Sequence, residues 1–300
     1  MTPILALLFA SLIWGANSPI MKWALTSVPL FSLAFLRFSL ATIFIAPIVA
    51  KSAKIKKRDL SKIAMAAILG ITLNVSLFFL GLKFTYAINA AFIIATIPVF
   101  TMVAAIIFLQ ERLTSKLVIA TTFALTGLLL ILGAPVLTLG LTHLVGGLLL
   151  ILSSLTWVGY EIVSKKLFKT YSASVVTFYS FLIGSVTFLP LAILEFLRNP
   201  DWIFHLTTPA LVGIFYGAVF SSTMAYFAWQ YGLSKIPASQ ASFFFYLDPV
   251  TGVIVSVLLL KEQVTPIFLA GAALIVLGVF WAEHKRKVHP LYKKEEDRLS

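Results

Sequence analysis

Three charged residues stand inside long apolar stretches, and any chemistry the chain performs has to begin from them. Asp248 precedes a proline in ASFFFYLDPVTGVIVSVLLL, Arg37 lies in LFSLAFLRFSLATIF, and Glu161 lies in LTWVGYEIVS. A charge in such surroundings is costly, so it usually faces a cavity or a partner. Asp248 could bind the amine of a small solute or load and release a proton. The alternative is a structural role. Pro249 has no amide donor, and Asp248 could be the partner of the backbone group that is left free.

Arg37 and Glu161 each allow two interpretations. Arg37 could bind a solute carboxylate, or it could hold the ends of neighbouring helices by hydrogen bonds. Glu161 has Lys165 four residues later, a spacing that suits an ion pair at a membrane edge. It also shares a helical face with Trp157 and Ser164, which would turn it towards a cavity. The sequence leaves both alternatives open for each residue.

Further polar and aromatic residues of the apolar stretches are candidates for a pocket lining, because ligand pockets are mostly apolar with a few placed polar groups. The candidates are Trp14, Asn17, Asn74, Thr96, Trp157, Tyr160, Glu161, Tyr226, Gln230, Ser242, Tyr246 and Asp248. Such a set suits a medium-sized solute that is partly aromatic or zwitterionic. The candidate charge partners or coupling groups are Asp248, Arg37 and Glu161. Pro98 and Pro249 are expected kinks, and either a hinge or a static bend would explain them.

The elements that must position these residues are apolar segments of membrane-spanning length. The chain is 60% hydrophobic and 11% charged, whereas about 25% of residues are charged in a soluble domain. Helices of about 20 apolar residues cross the hydrocarbon core of a bilayer. Ten are predicted, at Pro3–Met21, Phe31–Ala50, Ile63–Leu82, Ile88–Leu109, Leu117–Leu132, Leu144–Ser164, Val175–Glu195, Ala210–Tyr231, Ser239–Leu260 and Ile267–Ala282. The sequence therefore predicts an all-α integral membrane protein.

The chain contains an internal duplication. A step of 151 positions matches Ala87 with Ala238, Pro98 with Pro249, Glu111 with Glu262 and Thr114 with Thr265. A step of 143 positions matches Ser11 with Ser154, Trp14 with Trp157 and Lys22 with Lys165. Chance matching of apolar residues would not bring proline and glutamate into register. We predict a first repeat at 1–135, a second at 140–283 and a charged tail at 284–300. The two glutamates are expected to cap the starts of neighbouring helices.

Five spans per repeat is an odd number, so the second repeat must enter the membrane from the opposite face. The positive-inside rule tests this orientation. With the N-terminus inside, eighteen of the 23 lysines and arginines fall on the cytoplasmic side. The outer side carries only Lys22, Lys83, Arg198 and Lys261. The sequence thus predicts inverted repeats, with both termini in the cytoplasm and the chain in the inner (plasma) membrane.

Short motifs lie along both repeats. In the first repeat they are Trp14-Gly15-Ala16-Asn17, Leu36-Arg37-Phe38, Pro98 and Glu111-Arg112-Leu113-Thr114. In the second they are Ser154 to Trp157, Asp248-Pro249-Val250 and Glu262-Gln263-Val264-Thr265. Together they resemble the EamA unit of the drug/metabolite transporter superfamily. The resemblance implies ten helices around a central cavity and the movement of amino acids, drugs, nucleotide sugars, purines or other metabolites, often outward. Bacterial members often have glutamate where this chain has Asp248.

Inverted repeats place a substrate site near the midplane and allow alternating access. The expected function is secondary transport of small metabolites, such as amino acids or related aromatic or zwitterionic solutes, in the direction of export. The alternatives are a nucleobase or nucleotide-sugar carrier and a lipid scramblase. Proton coupling through Asp248 is a hypothesis.

Other classes of function lack sequence support. The chain has no GxxxxGK[ST], HExxH or GxSxG motif, so neither ATP hydrolysis nor an enzymatic reaction is expected. It has no cysteine, and its histidines fall in loops, at span edges or in the tail, so no metal or other cofactor is expected. The net charge of +12 lies mostly between spans, which indicates lipid headgroups as partners and not nucleic acid.

Overall fold

The computed structural model describes residues 2–50, 54–112, 115–132, 141–261 and 266–283. This part of the chain is helical and contains no β-strand. The predicted tail and the predicted cap Glu262 lie outside the described residues. The helices are α1 (Pro3–Ala24), α2 (Leu30–Val49), α3 (Leu60–Ala67), α4 (Asn74–Phe84), α5 (Ala87–Ile94), α6 (Ile97–Leu109), α7 (Ser115–Leu132), α8 (Leu141–Leu167), α9 (Ala173–Arg198), α10 (Thr208–Phe215), α11 (Tyr226–Lys235), α12 (Ala238–Ala241), α13 (Asp248–Leu260) and α14 (Pro266–Glu283).

Seven helical stretches in the described residues have the length and composition of membrane spans. They are Pro3–Ala24, Leu30–Val49, Lys57–Phe84, Thr142–Leu167, Ala173–Arg198, Thr208–Lys235 and Ala238–Leu260. Large apolar side chains stand exposed on the outside of the bundle, for example Leu197 at 72% and Leu258 at 68%. A helix satisfies its own backbone hydrogen bonds, which lipid requires. The chain is therefore a multi-pass membrane protein.

Two of these stretches change from α-helix to π-helix near their middle. The first π-helical segment, Ile68–Leu73, joins α3 to α4. The second, Tyr216–Ala225, joins α10 to α11. The two segments overlap when the chain is shifted by 151 positions, so the repeats share this feature. Short π-helical insertions recur at functional sites because they redirect side chains and backbone carbonyls.

The expected kinks at Pro98 and Pro249 fall at places where the regular α-helix is interrupted. Pro98 lies in the first turn of α6, after the short interruption that ends α5. Pro249 lies in the first turn of α13, after a 3₁₀ segment at Ser242–Leu247. Proline is tolerated in a first turn, since the amide that it lacks would have no partner inside the helix. Pro98 thus follows a break between two helices, whereas Pro249 lies within the continuous helical stretch Ala238–Leu260, where 3₁₀-helix changes to α-helix.

α1 packs directly on the backbone of α13. A Cβ added at Gly15 would lie 1.6 Å from Oγ1 of Thr251 and 2.7 Å from the carbonyl oxygen of Asp248. A Cβ added at Gly252 would lie 2.9 Å from the carbonyl oxygen of Gly15. Only glycine permits so close an approach. This crossing brings the first span of one repeat against the Asp248 helix of the other.

One face of the bundle, here called the N-terminal face, carries the start of α1. Gly232, near the end of α11, packs against the carbonyl of Pro3. Lys165, near the end of α8, donates to the carbonyls of Leu233 and Ile236, both at 2.6 Å. A cation at a helix C-terminus also complements the helix dipole. The ends of α8 and α11 therefore lie at this face.

The opposite face carries the end of α1. Lys22 donates to the carbonyls of Leu82, at 3.4 Å, and Thr85, which close α4. Lys22 is the repeat partner of Lys165, and Leu82 is the repeat partner of Leu233. Equivalent lysines thus cap equivalent helices at the two ends of the bundle.

Two buried helix starts are capped by glutamates from other helices. Glu111 accepts from the amides of Ala238, at 2.8 Å, and Ser239, at 3.1 Å, and from the Ser239 hydroxyl at 2.6 Å. Glu195 accepts from the amide and hydroxyl of Ser32 at 2.7 and 3.0 Å. Such bonds satisfy amide groups that a helix start leaves free. The expected capping role of Glu111 is confirmed.

Candidate solute pocket

A pocket of about 550 Å³, including its mouth, lies between the two repeats. Its lining combines aromatic rings, small polar groups and two charged side chains. The lining residues are Trp14, Asn17, Arg37, Asn74, Val75, Phe78, Ile94, Ile97, Ser153, Ser154, Trp157, Ser221, Tyr226, Phe245 and Asp248. A mostly apolar lining with a few placed polar groups is typical of small-molecule sites.

The pocket gathers seven of the residues singled out in the sequence. These are Trp14, Asn17, Arg37, Asn74, Trp157, Tyr226 and Asp248. Six other candidates lie outside its lining, namely Thr96, Tyr160, Glu161, Gln230, Ser242 and Tyr246. Of the lining residues that were not candidates, Phe78, Ile94 and Ile97 resemble lipid-facing residues in the sequence. Ser221 could have been found from its place in a span that carries several small residues.

Arg37 is buried, and its guanidinium is held from one side. Its Nη2 donates to the hydroxyls of Ser221, at 3.0 Å, and Ser222, at 3.3 Å. The guanidinium also lies over the rings of Phe38 and Phe79, at 5.4 and 5.5 Å from their centroids. Its Nε has no hydrogen-bond partner among the described residues. The guanidinium that lines the pocket thus keeps one donor, Nε, without a partner in the described part of the chain.

Asp248 is also buried and lines the same pocket. Its Oδ1 has no hydrogen-bond partner within the described ranges. In the described part of the chain, Oδ1 therefore makes no hydrogen bond to the backbone that Pro249 leaves free. The described residues contain no ion pair between Asp248 and Arg37. The pocket therefore holds a carboxyl and a guanidinium that do not neutralise each other.

Two asparagines fix the polar part of the wall. Asn74 donates to the carbonyl of Ser153 at 2.8 Å and to its hydroxyl at 2.9 Å, and that hydroxyl donates back to the carbonyl of Asn74 at 2.9 Å. Asn17 accepts from the Ser221 hydroxyl at 2.9 Å. These bonds join α4 to α8 and α1 to the second π-helical segment. The polar groups are thereby held in place across the two repeats.

Five rings, here called the aromatic cluster, lie between the pocket and the N-terminal face: Trp14, Trp157, Tyr226, Trp229 and Phe245. Trp14 meets Trp157 and Tyr226 edge to face, with centroids 5.1 Å apart in both pairs. Trp229 packs on Phe245 at 4.2 Å. Trp14 also donates its Nε1 to the carbonyl of Ser221 at 3.0 Å. Packed rings of this kind prefer such tilted arrangements, and here they close one side of the pocket.

Glu161 lies beyond the aromatic cluster, one turn past Trp157 on α8, and is fully buried. It accepts from Oγ1 of Thr101 at 2.8 Å and from Nε1 of Trp229 at 3.1 Å. Lys165, the candidate partner at a membrane edge, donates to the two carbonyls at the end of α11. The geometry supports a buried role for Glu161 over an exposed interface pair.

The remaining candidates either form a hydrogen bond to a residue nearby in the sequence or have polar atoms without a partner among the described residues. Thr96 donates to the carbonyl of Ile93 at 2.6 Å, at the break between α5 and α6. Ser242 donates to the carbonyl of Ser239 at 3.3 Å, where α12 ends. Three further candidates are buried with side-chain polar atoms that lack a partner among the described residues, namely Tyr160, Gln230 and Tyr246. The described part of the chain also contains no group of His, Asp and Glu suited to a metal ion.

Comparisons with known proteins agree with a membrane transporter. The uncharacterized transporter YyaM of Bacillus subtilis is 29% identical over 299 residues, which cover 98% of this chain and 97% of that protein. A probable terminal-alkyne amino-acid exporter of Streptantibioticus cattleyicolor is 25% identical over 91% of both chains. A solved crystal structure has a TM-score of 0.72 with 98% of both chains covered, and at 18% identity this likeness concerns the fold alone.

The family comparison covers nearly the whole sequence. The model of the EamA-like transporter family matches residues 1–133 and 144–282. The named relatives are transporters and not enzymes. With its apolar spans and its pocket between two repeats, this chain belongs to the EamA-like transporter family.

Proposed function

We propose that this protein is a secondary transporter that exports small zwitterionic metabolites, in particular amino acids with an aromatic or other apolar side chain. The observation that carries the proposal is the presence of Arg37 and Asp248 in one buried pocket without an ion pair between them. Each side chain also has one polar atom without a partner among the described residues. A solute that brings an anion and a cation would satisfy both.

Each charged end of an amino acid has a matching group. A carboxylate would accept from the guanidinium of Arg37, because arginine offers several donors in a rigid plane. An ammonium group would donate to Oδ1 of Asp248. The rings of Trp14, Trp157 and Phe245 would contact an apolar side chain. Isolated buried charges are costly in a membrane protein, and a zwitterion offsets both at once.

The transport cycle that we propose is alternating access between two inverted repeats of five spans. The start of α1 and the end of α8 share the N-terminal face, which supports opposite orientations for the first spans of the repeats. We place residues 1–135 and 140–283 in the two repeats, ten spans in total, with both termini in the cytoplasm and the protein in the inner membrane. The aromatic cluster would then close the cytoplasmic side of the pocket.

Export is the direction that the comparisons favour, since one relative carries the name of a probable amino-acid exporter. We further propose that a proton gradient drives it and that Asp248 exchanges the proton. Glu161 is a second candidate for coupling because its carboxyl is buried next to the aromatic cluster.

Counterflow in proteoliposomes tests the proposed substrate class. The probe is radiolabelled L-phenylalanine, and the competitors are L-phenylalaninamide, which lacks the carboxylate, and N-acetyl-L-phenylalanine, which lacks the cation. We expect unlabelled L-phenylalanine to compete at least tenfold better than either analogue, the size of effect that an unpaired buried charge produces. Arg37→Gln should erase the preference over the amide, and Asp248→Asn the preference over the N-acetyl compound.

Asp59→Asn is the matched control, because it removes a carboxylate at the N-terminal side of α3 and outside the pocket. This variant should keep both preferences. Equal competition by all three compounds in the wild type would refute zwitterion recognition. Uptake of adenine or a nucleotide sugar in its place would favour the nucleobase or nucleotide-sugar alternative, and lipid movement without solute flux would favour a scramblase.

A further inference from the structure

A second group of polar side chains is buried between the aromatic cluster and the N-terminal face. It consists of Tyr160 and Ser164 on α8, Ser180 on α9 and Gln230 on α11, each with an exposed fraction of 0%. The hydroxyl of Tyr160 lies beside the side chains of the other three but has hydrogen-bond geometry to none of them. We call these four residues the closed polar group.

Hydrogen bonds among the described residues do not explain why the closed polar group is polar. The three hydroxyls and both amide atoms of Gln230 lack a hydrogen-bond partner among the described residues. Unsatisfied polar atoms are rare in protein interiors, and each calls for an explanation. Lipid cannot supply the missing bonds. Leucine and phenylalanine would fill the same space at lower cost, so the polar atoms need a partner at another stage of the cycle.

The repeat shows which part of the pocket this group matches. A step of 143 positions carries Asn17 to Tyr160 and Arg37 to Ser180. Asn17 and Arg37 line the pocket and are joined through the Ser221 hydroxyl, at 2.9 and 3.0 Å. Two of the four residues, Tyr160 and Ser180, therefore occupy in the second repeat the positions that belong to the polar pocket wall in the first.

Packing against the π-helical segments repeats the same relationship. The ring of Tyr160 lies on Gly70 of the first π-helical segment, where an added Cβ would lie 2.2 Å from the ring. The side chain of Arg37 lies on Gly217 of the second segment, where an added Cβ would lie 2.5 Å from Cδ of Arg37. The steps of 143 and 151 positions match Tyr160 with Asn17 and Gly70 with Ser221. Asn17 accepts from the Ser221 hydroxyl at 2.9 Å, so equivalent positions are in contact in both repeats.

We propose that the closed polar group is a second solute subsite, which binds the same small solute by neutral hydrogen bonds when the protein opens at the N-terminal face. This proposal rests on the transport function proposed above. Tyr160 and Gln230 would donate to the solute's carboxylate, and the serine hydroxyls can donate or accept. Ser180 stands where the first repeat has Arg37, so this subsite has no cation of its own.

The difference between Ser180 and Arg37 has a consequence for affinity. A bond from a guanidinium to a carboxylate is stronger than one from a neutral hydroxyl. A solute with a carboxylate should therefore bind more weakly from the N-terminal face than from the opposite face. Such an asymmetry suits an exporter, because weak binding at the loading face is compatible with high solute concentration in the cell and keeps the site unsaturated.

Sided flux measurements test the subsite. Protein in vesicles of defined orientation is supplied with radiolabelled L-phenylalanine at one face or the other. The variants are Tyr160→Phe and Gln230→Leu, which remove hydrogen-bonding atoms and keep most of the volume. For each variant we expect KM at the N-terminal face to rise about tenfold, the equivalent of one lost solute bond. KM at the opposite face should change less than about twofold.

The same variants separate the subsite from a packing role. Tyr171→Phe is the control, since it removes a tyrosine hydroxyl that donates to Asp59 outside the group. If the closed polar group only fills space, Tyr160→Phe and Gln230→Leu should raise the melting temperature and leave both KM values unchanged, which would overturn the proposal. Equal KM changes at the two faces would overturn it as well. If the wild-type protein moves no L-phenylalanine, the proposed transport function is refuted. The KM values at the two faces then cannot be compared.

Discussion

The indole Nε1 of Trp229 donates to the buried carboxyl of Glu161 at 3.1 Å, while the ring of Trp229 packs on Phe245 of the pocket wall at 4.2 Å. This one side chain joins a buried acid to the floor of the pocket. Trp229→Phe would keep most of the ring contact and remove the donor. We expect the free energy of unfolding to fall by about 1–3 kcal/mol, the usual effect of leaving a buried acceptor unpaired.

Size-exclusion thermostability in detergent measures this change. Trp202→Phe is a suitable control, because Nε1 of Trp202 is buried without a partner among the described residues. Its melting temperature should not fall through loss of a hydrogen bond. Equal melting temperatures for Trp229→Phe and the wild type would show that the bond to Glu161 contributes nothing to stability.

The crossing of α1 and α13 predicts a strong effect for a single methyl group. Gly15→Ala would place Cβ 1.6 Å from Oγ1 of Thr251 and 2.7 Å from the backbone at Asp248. The two helices must separate, so we expect a loss of stability of about 1–3 kcal/mol or more, as is usual for overpacking, together with lower flux. Gly147→Ala is the comparison, because its Cβ would meet only Ile93 at 3.6 Å. A Gly15→Ala protein as stable as Gly147→Ala would contradict the observed crossing.

The cap that Glu111 places on the start of α12 predicts a local opening. Glu111→Ala removes the acceptor for Ala238 and Ser239, and we expect a cost of about 1 kcal/mol, typical of a lost helix cap. A cysteine at Ala241, which is buried, should then react faster with a maleimide added at the N-terminal face. Glu195→Ala, which uncaps α2 at another helix start, should leave that rate unchanged. A rate that responds equally to both variants would argue against a local effect.

Proton coupling predicts a specific defect in Asp248→Asn. The amide has a similar shape but cannot exchange a proton, so an imposed pH gradient should no longer drive net flux. Counterflow of a solute whose binding does not depend on an amine group should continue, because that exchange needs no gradient. Both are measured in the same proteoliposomes with labelled solute. Gradient-driven flux equal to that of the wild type would remove Asp248 as the coupling group and leave Glu161 as the residue to test next.

The inverted arrangement predicts opposite labelling of two positions that lie just past equivalent span ends. Arg112 and Lys261 both follow the end of the proline-bearing span in their repeat, and both are exposed. Because the chain contains no cysteine, Arg112→Cys and Lys261→Cys each carry a single thiol. An impermeant maleimide applied to intact cells should label the cysteine at 261 and spare the one at 112 until the cells are opened. Labelling of both from outside would rule out inverted repeats.

The sequence alone determined the membrane class, the repeat and the family resemblance, and it singled out Arg37 and Asp248 as candidates. These conclusions depend on composition and on exact residue matches, and both can be read from the sequence without knowledge of any contact. A charge in an apolar segment is visible because its energetic cost is independent of its neighbours. Pro98 and Pro249 mark places where the α-helix is interrupted, although the sequence could not show the form of the interruption.

Only the tertiary structure decided which polar residues share a pocket. Tyr160, Gln230 and Glu161 have the same composition signals as Asn17 and Tyr226, yet the aromatic cluster separates the first three from the pocket. That separation depends on ring packing across four spans, and no local pattern encodes it. The π-helical segments were also invisible, since one extra residue in a helical turn leaves apolar sequence unchanged. Contacts between repeats, made by side chains far apart in the chain, are what turned a list of candidates into a site.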